Sequence, residues 1–189
     1  MLKELVIRNR SYRRFYEDVP VSVQTLRELI DVTRNTASTV NSQALKYKLV
    51  TSEDERKAVF ENLAWAGLLK DWDGPGEGER PSAYIIILCD LAIGSNKQFD
   101  DGISAQTILL AAAEKGLGGC MFGSINRKNL AHELDIDLEK YSIDLVIALG
   151  KPKETVKIVD VPESGSTAYY RDSDGVHYVP KRSLDDLIV

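Results

Sequence analysis

The chain has 189 residues, a formal net charge of −5 and an isoelectric point of about 5.2. Such an acidic balance argues against a general affinity for nucleic acid or anionic lipid. No apolar run reaches the ~18 residues that span a bilayer, and the start lacks the layout of a signal peptide. We therefore expect a cytoplasmic protein of one domain, residues 1–189. Cys89 and Cys120 lie in apolar stretches, which predicts buried thiols of a reducing compartment rather than a disulfide or metal pair.

The sequence opens with a dense basic segment, IRNRSYRRF, in which four arginines fall within seven positions. They are Arg8, Arg10, Arg13 and Arg14. Such a run is either a solvated face or a place where an anion is held. Because the rest of the chain is acidic, a small anion suits the segment better than a polymer.

Periodicity and capping residues predict the elements of the first half. A short helix covers residues 2–9, and a second begins after Ser22, a good N-cap. The alternation in residues 46–51 predicts a half-buried strand. Ser52 and Glu55 form a capping-box pattern that opens a third helix, ending near residue 63.

The second half begins with a loop at 73–81, rich in glycine and proline. The later elements are a buried strand at 83–90, an apolar and therefore buried helix at 101–115, a strand and turn at 118–125, a helix from Asn126 to about 134, and an interior strand at 142–150. Beyond Gly150 the helical periodicity ends and the apolar residues are scattered. This segment would bury little alone, so we expect an arm that lies on a partner subunit.

A polar loop, NTASTVNSQ, separates the second helix from the first predicted strand. Ser38, Asn41 and Gln43 offer hydroxyl and amide groups that could meet a planar heterocycle. The alternative is an ordinary turn between a helix and a strand.

Four segments in this order resemble the FMN-dependent nitroreductase family. NRSYRRF is similar to the family's Arg-Arg-Ser-x-Arg-x-Phe motif, and ASTVNSQALKY is similar to Pro-Ser-x-x-Asn-x-Gln-Pro-Trp. DDGISAQTILLAAAEKGLGGCMFGSI resembles the buried dimer helix and the glycine-containing strand after it. ALGKPKE and VPKRSLDDLIV resemble the final strand and the basic end of the arm. Together the segments span nearly the whole chain.

The resemblance implies an α+β, nitroreductase-like fold with a central, mainly antiparallel sheet flanked by helices. It implies one FMN-binding domain, residues 1–189, with an extended C-terminal arm from about 160 to 189 that wraps the partner of a homodimer. The implied activity is that of an FMN-dependent NAD(P)H oxidoreductase (using NADPH or NADH) that works by a ping-pong mechanism. The acceptor would be an electron-poor small molecule such as a nitroaromatic or a quinone.

The resemblance also implies roles for particular residues. Arg10 and Ser11 would hold the FMN phosphate, joined by Arg182 and Lys181, and Arg13 would approach the ribityl chain and the N1–C2 edge of the flavin. Gly123 and Ser124 would present backbone N–H groups to its N5–O4 edge. The remaining cofactor-binding residues, Ser38, Asn41 and Gln43, would reach the flavin across the dimer interface.

This sequence departs from the family pattern at several positions. Asn9 stands where many members have arginine, which weakens one phosphate contact. Ala37 replaces a proline, and Ala44-Leu45 replace Pro-Trp, which alters the stiffness of the loop but leaves its donors.

A substrate pocket is predicted at Trp65 and Lys70, which with Trp72 lie where family members often cover the open face of the flavin. The alternative is that these aromatic residues only anchor a loop. The chemistry at FMN N5 requires no catalytic side chain. His132 and His177 are lone histidines without a suitably spaced nucleophile, and Asp100-Asp101 suit a helix N-terminus better than a catalytic pair.

Three other functions remain open at this point. One is specialised flavin chemistry on the same fold, either reductive dehalogenation or breakdown of the flavin. Another is a flavin-binding storage or sensor protein with little turnover. The last, nucleic-acid binding through Arg8 to Arg14, is opposed by the acidic balance of the chain.

Overall fold

The computed structural model describes residues 1–69, 72–94 and 99–189. The helices are α1 (Leu2–Arg8), α2 (Val23–Thr33), α3 (Glu53–Glu61), α4 (Asp100–Glu114) and α5 (Arg127–Glu133). The strands are β1 (Phe15–Tyr16), β2 (Leu45–Val50), β3 (Ala83–Asp90), β4 (Gly118–Phe122), β5 (Tyr141–Pro152), β6 (Val156–Asp160), β7 (Tyr170–Arg171) and β8 (His177–Lys181).

The main sheet is antiparallel, as the sequence predicts. Its order is β1-β5-β3-β2, and β4 pairs with β5 on the edge opposite β3. The twelve residues of β5 therefore organise the sheet, because β3, β4 and β1 all hydrogen-bond to this one strand.

The hydrophobic core lies on both faces of this sheet, because successive side chains of β3 point to opposite sides. Tyr84 and Ile86 belong to the cluster beneath α3 and α5, whereas Ile85 and Ile87 belong to the cluster beneath α2 and α4. All four side chains are essentially inaccessible to solvent. Two covered faces explain why this strand is continuously apolar.

Capping residues fix the helix ends where the sequence predicts them. Ser22 accepts a hydrogen bond from the backbone N–H of Thr25 at the start of α2, and Asn126 caps α5 through Asn129. At α3 the Ser52 hydroxyl instead donates to the Glu55 carboxylate. The buried helix α4 packs against α2, β4 and β5, as its apolar composition predicts.

The segment after β5 forms a second, three-stranded sheet of order β6-β8-β7. This sheet packs on its own chain: His177 is 1% exposed, and Arg171 pairs with Glu154 at 2.9 Å. The expected extended arm therefore contains local structure as far as Lys181. The following apolar side chains of Leu184, Leu187 and Ile188 are exposed. Wrapping of a partner by this segment stays a prediction.

Cys89 and Cys120 are buried, as predicted. Within the described ranges, no helix combines the length and the apolar character needed to cross a bilayer.

Candidate functional site

Two of the four opening arginines, Arg8 and Arg14, donate hydrogen bonds to residues that are distant in the sequence. The Arg8 guanidinium donates to the carbonyl of Ala113 at the C-terminal end of α4, at 2.6 Å. Arg14 forms a two-pronged ion pair with Glu79, at 2.5 and 2.6 Å. This bidentate geometry is the strongest that an arginine and a carboxylate make. These two charges are therefore committed to the fold.

Arg10 and Arg13 are left for another role. Arg10 donates to the carbonyl of Val6 in the last turn of α1, at 2.7 Å, which fixes the guanidinium at the end of that helix. Arg13 lies over the Tyr169 ring, 5.0 Å from its centroid, in the distance range of a cation–π contact. Ser11 lies between them and is exposed.

Two glycines allow this segment to approach the sheet. Ser11 forms a β-bridge to Gly119, and the backbone N–H of Tyr12 donates to the Gly119 carbonyl at 3.0 Å. A Cβ on Gly119 would lie 2.4 Å from the carbonyl oxygen of Ala148, and a Cβ on Gly118 would lie 2.4 Å from the Tyr12 ring. A side chain at Gly118 would push Tyr12 away, and a side chain at Gly119 would displace β4, the strand to which Ser11 bridges.

The result is a cleft of about 300 Å³ between the N-terminal segment, α4, β4 and β8. Arg10, Ser11, Arg13 and Lys181 line the same cleft, which therefore contains cations from the two ends of the chain. Arg182 directly follows Lys181 but is not among the described residues that line the cleft. The other lining residues are Asn9, Gln106, Leu109, Met121, Tyr169, His177 and Val179.

The cleft contains an unsatisfied donor. The Nε of Arg10 is buried and has no hydrogen-bond partner among the described residues. Burial lowers the pKa of Arg10 from its usual value, because a desolvated cation without a counter-charge is unfavourable. An anion in the cleft would satisfy this donor and offset the desolvation.

Glu154 lies behind the cations and is fully buried. It accepts a hydrogen bond from the backbone N–H of Arg13, pairs with Arg171 at 2.9 Å, and lies 3.8 Å from Nδ1 of His177. Burial alone would raise the pKa of Glu154, but the facing His177, the Arg13 N–H and the Arg171 guanidinium outweigh it. The net shift of this pKa is downward, so the carboxylate is charged at neutral pH.

A larger groove of about 590 Å³ runs along α2 and β2. Its lining mixes Arg27 and Arg34 with Glu28 and Asp31, and Arg34 pairs with Asp31 at 2.6 Å. Because these charges cancel locally, the groove has little preference for an anion. The smaller cleft is the better candidate on chemical grounds.

The loop of Ser38, Asn41 and Gln43 lies elsewhere in the chain. Ser38 and Gln43 line a different cavity, of about 240 Å³, and the exposed Asn41 does not line it. Asn41 and Gln43 have φ angles of 55° and 52°, which cost energy in residues other than glycine. Asp100 holds this loop, since its carboxylate accepts from the backbone N–H and the hydroxyl of Thr39 at 2.9 and 2.8 Å. Within one chain, the loop and the cationic cleft are not brought together.

Gly123 and Ser124 follow β4, the strand that carries Met121 into the cleft. Both residues are exposed. The Gly123 carbonyl accepts from Arg127 and the Ser124 carbonyl accepts from Ala64, at 3.1 Å each. Ser11 bridges to Gly119. At the usual rise of a strand, Gly123 lies ~13 Å farther along the backbone than this bridge.

The proposed pocket residue Trp65 lies in the core. Its side chain is 8% exposed and packs edge-on against Phe122, with ring centroids 4.6 Å apart. Trp72 packs edge-on against the Trp65 ring, with ring centroids 6.3 Å apart. The structure therefore supports the alternative interpretation of these aromatic residues as loop anchors. Lys70 lies outside the described residues.

The sequence did not reveal the charged residues that pack beside the cleft. Glu154, Arg171 and His177 were not expected to lie there, and His177 was interpreted only as an isolated histidine. Sequence separation hides the contacts, because Arg13 and Glu154 are 141 residues apart. The KPKE segment after the last predicted strand was the only available signal.

No cluster of potential metal ligands occurs in the ranges that the structure describes.

Comparison with known proteins supports the resemblance. Residues 91–151 match the model of the Nitroreductase family, whereas no curated protein matches the chain. A Desulfovibrio desulfuricans protein assigned to the nitroreductases and solved with FMN has a TM-score of 0.72 at 21% identity, covering 100% of this chain and 95% of that one.

Two further structures are similar. A nitroreductase family protein of Streptococcus pneumoniae has a TM-score of 0.70 at 16% identity, covering 100% of this chain and 99% of that one. A Staphylococcus epidermidis protein assigned as an NAD(P)H:FMN oxidoreductase has a TM-score of 0.64 at 18% identity, covering 82% and 88%. The expected fold and the family resemblance are confirmed: this chain has the nitroreductase fold, and its residues 91–151 match the family model.

Proposed function

We propose that this protein is an FMN-dependent NAD(P)H oxidoreductase of the nitroreductase type. The observation that carries the proposal is the cleft in which Arg10, Arg13 and Lys181 meet, with a buried and unpartnered Nε on Arg10. The fold supports it, as do similar structures assigned as FMN complexes and NAD(P)H:FMN oxidoreductases.

The residues of the cleft fit a phosphate monoester. Arginine presents a planar set of donors that matches phosphate oxygens, and lysine adds a compact positive charge. Ser11 adds a hydroxyl beside them. The family resemblance suggests Arg182 as well as Lys181 for the C-terminal phosphate contact. Because Lys181 lines the cleft, we assign this contact to Lys181.

Bound FMN would supply the redox chemistry, accepting a hydride from NAD(P)H and passing it to an electron-poor acceptor. The protein would hold the phosphate with Arg10 and Lys181 and would place Arg13 beside the ribityl chain and the N1–C2 edge. A positive charge at that edge favours the anionic reduced ring. The backbone at Gly123 and Ser124 would meet the opposite edge. We propose no catalytic side chain, since positioning and electrostatics suffice for this chemistry.

We further propose that the active form is a cytoplasmic homodimer. Exposed apolar side chains on α1 and in the last residues support an interface; they include Leu2, Ile7, Leu184, Leu187 and Ile188. Because Ser38, Asn41 and Gln43 lie apart from the cleft of their own chain, a contact with the flavin would have to cross to the partner.

Anaerobic reduction tests the proposed function. The purified protein, loaded with FMN, should lose its blue absorption band within seconds of adding NADH or NADPH, and menadione or a nitrofuran should restore it. Reduction that takes many minutes with both nucleotides would instead favour a storage or sensor protein. A protein that takes up no flavin would refute the proposal.

A further inference from the structure

The cations of the cleft lie on two segments that are far apart in sequence. Arg13 belongs to the N-terminal segment, whereas Lys181 ends β8 in the small second sheet. Their spacing therefore depends on a contact that joins the segments. Glu154, two residues after β5, supplies it.

Glu154 contacts both segments at once. One carboxylate oxygen accepts the backbone N–H of Arg13, and the other pairs with Arg171, which belongs to β7. The same oxygen lies 3.8 Å from His177, the first residue of β8. The side chain is completely buried, where charge-assisted hydrogen bonds are strong and their loss is costly.

A negative charge beside an anion site is at first sight unfavourable. By Coulomb attraction alone, removing it would tighten binding of a phosphate. The carboxylate is instead neutralised by Arg171 and directed at a backbone N–H. Its contacts fix positions rather than supply attraction to a ligand.

We propose that Glu154 is a positioning residue, which holds the Arg13 segment and the Lys181-bearing sheet at the spacing that the FMN phosphate requires. This inference rests on the proposed function. It assigns to Glu154 no contact with the flavin. A substitution that keeps the Arg13 contact and weakens the Arg171 contact should therefore affect the phosphate, which Lys181 holds, and spare the flavin ring, which Arg13 faces.

Two substitutions separate geometry from charge. Glu154→Gln keeps an oxygen that accepts the Arg13 N–H but weakens the pairing with Arg171, whereas Glu154→Leu removes both contacts. Positioning predicts FMN dissociation constants in the order wild type, Gln, Leu, with losses of about 10-fold and about 100-fold from the usual strength of charge-assisted hydrogen bonds. An effect of charge alone predicts the reverse, with both variants binding more tightly than wild type.

Glu79→Gln is the matched control. Glu79 pairs with Arg14 and Lys153, which are the sequence neighbours of Arg13 and Glu154. It does not line the cleft as the described residues define it. We expect this variant to lose stability but to keep its affinity for FMN.

The experiment is a fluorescence titration of each apoprotein with FMN and with riboflavin, which lacks the phosphate. The proposal predicts that Glu154→Gln weakens FMN binding alone, while riboflavin binding stays within about 2-fold. Unchanged or tighter FMN binding, or equal weakening of both flavins, would overturn it. Wild-type protein that binds neither flavin would instead refute the proposed function. The Gln variant decides the matter even if the Leu variant fails to fold.

Discussion

Arg13 and Arg14 are adjacent and chemically identical, yet their surroundings give them different roles. Arg14 meets the Glu79 carboxylate, which turns it into part of the fold. Arg13 meets the face of Tyr169 and faces the cleft. The same contrast separates Arg8, bound to a helix carbonyl, from Arg10, whose Nε is unpartnered among the described residues. At this scale, the arginines assigned to a ligand are the two that line the cleft, Arg10 and Arg13, although each also contacts the protein.

The Arg14–Glu79 pair predicts a dependence of stability on pH. Hydrogen bonding to Arg14 lowers the pKa of Glu79 from 4.5 to about 2. Since the folded-state pKa is depressed, the pair stabilises the fold above pH 4.5, and this contribution is lost as the pH falls from 4.5 toward 2. In Glu79→Gln the urea midpoint should be lower at pH 7 and should change less across that window. A variant that declines in parallel with wild type would contradict this assignment.

The chemistry of individual residues was only partly predictable from the sequence. Arg10, Ser11 and Arg13 were expected in one anion site because their motif is local and resembles a known one. The different role of Arg14 could not be predicted, because the Glu79 carboxylate that binds Arg14 is 65 residues away in the sequence. Trp65 suits a lid or a core equally well by composition, and only its packing against Phe122 decides between them.

The element that positions the site is β4, through its first two residues. A Cβ on Gly119 would meet the backbone oxygen of Ala148 and cannot be accommodated by a side-chain movement. We expect Gly119→Ala to lower the free energy of unfolding by about 1–3 kcal/mol, as overpacking usually does, and to weaken FMN binding by displacing Ser11. Gly76→Ala is the control, because a Cβ there meets nothing within 4 Å. Urea denaturation and FMN titration of both variants measure the two effects, and equal behaviour would contradict the prediction.

Asp100, the first residue of α4, contacts the loop that contains Ser38, Asn41 and Gln43. Asp100→Asn keeps the shape of the side chain but removes the negative charge of the carboxylate. This carboxylate accepts hydrogen bonds from the backbone N–H and the hydroxyl of Thr39. Loss of a charge-assisted pair should cost about 1–3 kcal/mol of unfolding free energy and should speed proteolysis within the loop. Asp101→Asn serves as the control. If proteolysis is equally slow in both variants, Asp100 does not hold the loop.

Helices and long strands were predictable because caps and periodicity are local signals. β3 matches the prediction residue for residue, and α2 starts after Ser22 as expected. The small sheet of β6, β7 and β8 was missed, since its strands are short and β6 pairs with β8 in parallel across 16 or more intervening residues. Such pairing leaves no periodic pattern in the sequence.

At the scale of the whole molecule, the exposed apolar ends predict self-association. Leu184 and Leu187 are 70% and 67% exposed in the single chain, and burial of such side chains usually drives stable association. Light scattering should give twice the chain mass of 21.0 kDa for the wild type. Leu184→Asp/Leu187→Asp should move the mass toward that of one chain. A wild type that remains monomeric would contradict the proposed homodimer.

The central claim is that cations from the two ends of the chain hold one phosphate, and the flavin content of purified protein tests it most directly. Arg10→Ala/Lys181→Ala removes both ends of the site. Lys57→Ala/Lys128→Ala removes two exposed charges on α3 and α5 and serves as the control. We expect blue-region flavin absorption in the wild type and the control, and an FMN affinity at least about 100-fold lower in the cleft variant. If the cleft variant is as yellow as the wild type, these cations do not hold the phosphate.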